Sequence, residues 1–101
     1  MVKLIALYDK PDDVEAFEKH YFETHLPLNA KTPGLQRTEI SRVTGSPMGR
    51  PRYYLMAEMY FEDLDALTKA MQSPEAAAAG KDLMSFAKGK VHLMVAQCQD
   101  A

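Results

Sequence analysis

The run YYLMAEMYF, residues 53–61, limits what this chain can fold into more than any other stretch, because it is apolar on both sides of a strand. Successive strand residues point to opposite faces, so Leu55, Ala57, Met59 and Phe61 face one way while Tyr54, Met56 and Tyr60 face the other. Residues 2–8, VKLIALY, repeat the pattern, with Leu4, Ala6 and Tyr8 opposite Ile5 and Leu7. An antiparallel sheet with one face in water alternates apolar with polar side chains, and these two strands do not. Each face therefore needs a cover. Helices can supply one. A second copy of the chain is the simplest supplier of the other, ahead of a different partner protein or a solvated face that tolerates apolar residues.

The remaining elements follow from local signals. Strand one ends at Asp9-Lys10-Pro11. Asp12 is the expected cap of the first helix, with Glu15 three residues on. Leu26-Pro27 is expected to stop that helix, since a residue before proline avoids the α region. TPGL (32–35) turns into a second strand near 36–43, and the Gly- and Pro-rich stretch 44–52 makes a hairpin loop before strand three. Asp63 opens a second helix through Leu64, Leu67 and Met71. Ser73 and Pro74 start another as cap and first helical residue. Residues 90–96 form the last strand. The order is β-α-β-β-α-β with an extra helical segment before the final strand. This predicts one α+β domain over residues 1–101, of ferredoxin-like topology, with a four-stranded antiparallel sheet.

Composition excludes several partners. Twelve basic and fourteen acidic residues, with no block of either sign, argue against nucleic acid or an anionic membrane as the main partner. Cys98 is the single cysteine, so no intrachain disulfide can form. The N-terminal apolar run is too short for a signal peptide or a membrane span, which makes the cytoplasm the expected location. No phosphate-cradling loop, dinucleotide fingerprint or nucleophile elbow occurs, and no cofactor is expected.

The densest chemistry lies in HYFETHLPL, residues 20–28. At about 100° per residue, Val14, Phe17 and Tyr21 form one helical stripe facing the sheet, and His25 continues it. His20 falls about 140° from His25 on the same count, on the outer side, where it reads as a solvated residue. A zinc pair on one helix takes a spacing of four, and here it is five, so no metal site is expected. His25, at the rim of the core, is the candidate proton-transfer residue, with Tyr21 as a hydroxyl donor. A histidine in a last helical turn also commonly caps free carbonyls. Phe17, Tyr54, Met56 and His92 are the candidate ligand-binding residues, in an interior rich in Met and Tyr that suits a small apolar molecule.

From the opening VKLIALYDKP, through AFEKHYFETHLPL (16–28), PGL (33–35) and SPE (73–75), to Asp82 and Phe86, the chain resembles the EthD family of the dimeric α+β barrel superfamily. Ala76 stands where relatives often carry glycine. The resemblance implies a homodimer formed through sheet faces and a pocket for a hydrophobic molecule between sheet and helices. It implies no settled reaction. The family takes its name from an ether-degrading system and its members are often labelled reductases, yet no redox cofactor motif is present. In isomerase-like relatives a histidine at the position of His25 looks catalytic. Three functions follow as expectations: a cofactor-free enzyme moving a proton on a small carbonyl or lactone compound, a non-catalytic binding or accessory module, and, third, haem degradation.

Overall fold

The structure is a computed structural model and describes residues 1–100. Strands β1 (Val2–Asp9), β2 (Arg37–Arg42), β3 (Tyr53–Phe61) and β4 (Val91–Gln97) form one antiparallel sheet in the order β2-β3-β1-β4. Helices α1 (Val14–His20), α2 (Leu26–Asn29), α3 (Leu64–Met71) and α4 (Pro74–Ala87) pack on one side of it. This is the ferredoxin-like arrangement that the strand pattern predicts, and α4 is the extra helix before the last strand. Among the described residues, no helix is long and apolar enough to cross a membrane.

Two apolar clusters join the layers. Phe17, Tyr21, Leu83 and Ala87 from the helices meet Ala6, Tyr8, Leu55 and Ala57 from the sheet. At the other end, Leu67 and Ala70 of α3 cover Val2, Met59 and Phe61. Tyr8, Tyr21, Leu55 and Phe61 are wholly buried, and each such side chain contributes about 1.5–3 kcal/mol from burial.

The helix starts fall where short polar residues can accept backbone N–H groups. Asp63 accepts from Ala66 at 2.8 Å, and Ser73 accepts from Ala76 at 3.1 Å ahead of Pro74. The first cap is Asp13, not Asp12. Its carboxylate accepts from Ala16 at 3.0 Å, while Asp12 is almost fully exposed beside Lys90.

A larger correction concerns Leu26-Pro27, which does not end the helix. Tyr21–His25 forms a π-helical turn between α1 and α2, with the Leu26 N–H donating to the Tyr21 carbonyl five residues back. Leu26 stays helical (φ −60°, ψ −43°) despite preceding proline, and the helix runs on to Asn29. The widened turn accommodates a residue that cannot donate and whose ring crowds the preceding turn.

A bulge corrects the assignment of Tyr54. Tyr8 pairs with Leu55 but Asp9 pairs with Tyr53, so Tyr54 is the extra residue on β3. It turns to the helical side, packs on Phe17 at 5.9 Å and donates to Glu18 at 2.5 Å. Tyr53 takes the opposite face, against His92.

That opposite face is mixed rather than wholly apolar. Register places Ile5, Leu7, Met56 and Met94 there, but also Lys3 and the buried Glu58, which pair at 2.6 Å. Arg37 lies 3.8 Å over the Tyr60 ring. Among the described residues no helix covers this side. Edge strand β4 stays open on both faces, with Leu93 and Val95 about half exposed and Met94 44% exposed.

Candidate functional site

The site is organised by a carboxylate that local pattern reading misses. Asp82, in the middle of α4, accepts from the His25 Nδ1–H at 2.9 Å through Oδ2. The same group lies 3.0 and 3.1 Å from His20 Nε2. The two histidines therefore meet on one acid, against the expectation that His20 faces solvent alone. The π turn is the reason. With i→i+5 bonding, residues five apart come onto one face, where an α-helix would separate them. Phe86, one turn after Asp82, packs on both rings, at 4.6 Å from His20 and 5.0 Å from His25.

His25 is 3% exposed. Burial holds its imidazole below its ordinary value, and the Asp82 hydrogen bond opposes that shift without cancelling it. At neutral pH the ring is therefore uncharged, with its proton on Nδ1 toward the acid. Among the described residues no group bonds Nε2, so a lone pair is left on the ring.

That ring lines a cavity of about 120 Å³ between helices and sheet. Its walls are largely apolar: Leu4, Ala6, Ala57, Met59, Leu83 and Leu93, with Ala76, Ala79 and Gly80 of α4 keeping side-chain bulk away. Tyr8, Asn29 and Thr32 are its polar members besides His25. The Tyr8 phenol is pushed well above its usual value by burial, so it remains a hydroxyl. Asn29 is buried, and its amide forms no hydrogen bond to the protein among the described residues.

Of the residues singled out from the sequence, His25 alone lines this cavity. Tyr21 is wholly buried behind Tyr8 in an aromatic cluster. Its hydroxyl makes no well-formed hydrogen bond, and the Tyr8 phenol is the polar group that couples to it. Phe17 lies beneath Tyr54 and Phe86, on the wall of a different crevice. Tyr54 is bonded to Glu18, which Arg42 also holds at 2.7 Å, so neither tyrosine nor glutamate reaches His25. Met56 and His92 stand on the far face of the sheet, His92 against Asp9 at 3.1 Å. Asp82 carries one readable signal. An aspartate inside an otherwise alanine-rich helix is a poor helix former and needs a tertiary reason to be there.

A model of the EthD domain matches residues 10–90, a span that includes both histidines, Asp82 and Phe86. The chain belongs to the EthD domain family. It is 31% identical over 94 residues to an uncharacterized 11.0 kDa protein from the thcB-thcC intergenic region of Rhodococcus erythropolis, covering 93% of this chain and 91% of that one. An EthD family protein of known structure from Bacillus halodurans is 49% identical, with a TM-score of 0.94 over 98% of this chain and 99% of the other. More distant structural neighbours share the fold alone. One is a dimeric ferredoxin-like protein of unknown function from Thermobifida fusca (13% identity, TM-score 0.71, 96% and 90% covered). Another is a mutant form of SnoaB of Streptomyces nogalater, described as a cofactor-independent oxygenase (16% identity, TM-score 0.69, 99% and 94% covered).

Proposed function

We propose that the protein is a homodimeric, cofactor-independent enzyme that transfers a proton on a small apolar carbonyl or lactone-type compound held in the His25 cavity. The observation that carries this reading is the unpaired Nε2 of a neutral, Asp82-oriented imidazole on an apolar wall. A general base needs an accessible lone pair and a fixed tautomer, and a carboxylate on the opposite nitrogen supplies the second. Tyr8 and Asn29 serve as donors to the carbonyl oxygen, which gains negative charge as a neighbouring C–H proton leaves. Tyr8 takes the role expected of Tyr21.

Cavity size narrows the ligand. An apolar cavity of about 150 Å³ holds benzene, so the 120 Å³ here suits a molecule of about that size and not a porphyrin. This disfavours haem degradation. SnoaB supports the reading only in showing that a protein of this fold works without a cofactor. The dimer is supported by the uncovered sheet face bearing Ile5, Leu7, Met56 and Met94, and by dimeric neighbours of the same fold.

Exchange of the α-protons of cyclopentanone into D2O, followed by proton NMR, tests the proposal. Wild-type protein should accelerate exchange above buffer, and His25→Ala should abolish the acceleration while still binding the ketone. Equal exchange by the two proteins overturns the catalytic assignment. Binding without acceleration by either one makes the protein a carrier.

A further inference from the structure

Asp82 touches two imidazoles that stand in different spaces. His25 lines the half-open cavity between helices and sheet, whereas His20, with about a third of its side chain exposed, lines a separate crevice of about 430 Å³ beside the segment that precedes α1. Only Nε2 of His20 is held by the protein among the described residues, so Nδ1 is left to water. Phe86 packs against both rings and fills the space beside the carboxylate.

One carboxylate accepting from two imidazoles can balance one added positive charge well and two poorly, because like charges sharing a site disfavour each other. We propose that His20 is the counter-charge of the site: Asp82 holds a single positive charge for the pair, and a proton taken by His25 at Nε2 is matched by loss of the His20 Nδ1 proton to water in the crevice. The exchange balances. One proton arrives on His25, one leaves His20, Asp82 stays ionised, and the net charge beside the cavity does not change. The reverse transfers reset the pair when His25 releases its proton. His20 is thus a positioning residue acting through Asp82, and the protons that His25 moves are linked to solvent rather than confined to the cavity.

The charged groups around the pair are consistent with this division. His20 is bonded to Asp82 of α4, and its crevice is bordered by Asp12 and Asp13 before α1, by Lys90, which pairs with Asp12, and by Asp9, whose carboxylate pairs with His92. His25 faces Asp82 and the neutral phenols of Tyr8 and Tyr21, and the proximity of His20 already disfavours charge on it.

The proposal rests on the reading of His25 as a base, but it is measurable without any ligand. Imidazole-labelled protein is titrated by 15N NMR, both rings being followed in wild type, His20→Gln and Asp82→Asn. In wild type the pair should titrate in two coupled steps, with His20 charged at the higher pH and the His25 curve inflected where His20 titrates. In His20→Gln, which keeps a donor to Asp82 but no charge, His25 should bind its proton about tenfold more tightly, one unit higher. In Asp82→Asn both rings should titrate lower. A wild-type His25 curve that ignores the His20 step overturns the proposal, as does a His25 midpoint unchanged in His20→Gln. The wild-type curve decides the matter even if a variant fails to fold. Coupled titration without ketone exchange would sink the enzymatic reading and leave this one standing.

Discussion

Replacing Asp82 by alanine should destabilise the fold through one specific buried donor. The His25 side chain is 3% exposed and its Nδ1–H has Asp82 as its partner, 2.9 Å away. Leaving a buried donor unpaired costs about 1–3 kcal/mol. The His20 contact is partly solvated and adds less than about 1 kcal/mol. The total of about 1–4 kcal/mol corresponds, for a domain of this length, to a fall in melting temperature on the order of 5–20 °C. The assay is a double-mutant cycle by chemical denaturation at fixed protomer concentration, using Asp82→Ala, His25→Phe and the pair. With phenylalanine at position 25 there is no donor to strand, so Asp82→Ala should then cost under about 1 kcal/mol. An equal cost in both backgrounds would refute the reasoning, because the loss would then come from α4 and not from the His25 bond.

Three further outcomes are expected. The His25 value lies below the roughly 6.5 of an unfolded histidine, so the unfolded chain holds more protons between the two; stability should be full above about pH 6.5 and fall as pH drops through the folded value. His25→Phe should flatten that acid limb in denaturation midpoints measured across pH, and a limb that persists would place its origin elsewhere. Gly80→Ala should raise stability by about 0.5–1 kcal/mol, because Gly80 sits within α4 and an added Cβ meets no atom within 4 Å; a lower melting temperature would show that the position needs glycine. Met94→Glu puts a charge on the uncovered sheet face and should convert a dimer to monomers in sedimentation. A variant that stays dimeric would move the interface elsewhere.

The fold is readable wherever its signals are local. Strand β3 is set by a run of β-forming residues between a Pro- and Gly-rich loop and Asp63, and it spans the residues expected of it. The caps at Asp63 and Ser73 work through their own side chains three residues on. Within the site, helical spacing gives a role to His25 alone, while Asp82 and Phe86 enter only through the family resemblance and the oddity of an aspartate inside an alanine-rich helix. The count of 100° per residue that places His20 on the outside holds for an α-helix, and the π turn at Tyr21–His25 breaks it. Asp82 lies 57 positions from His25, and nothing local marks a contact between them. Tyr54 changes faces because one extra residue in a strand inverts the alternation beyond it, and a bulge leaves no dependable mark in the chain.

The account depends on a neutral His25 whose proton sits on Nδ1 beside Asp82 and whose Nε2 lone pair opens on the cavity. The 15N spectrum of the imidazole-labelled protein at pH 7, recorded with and without cyclopentanone, tests this directly. The predicted result is a protonated Nδ1, an unprotonated Nε2, and a shift on adding the ketone that is concentrated at Nε2. A ring protonated on Nε2, or one whose nitrogens ignore the ketone while the ketone binds, would contradict it.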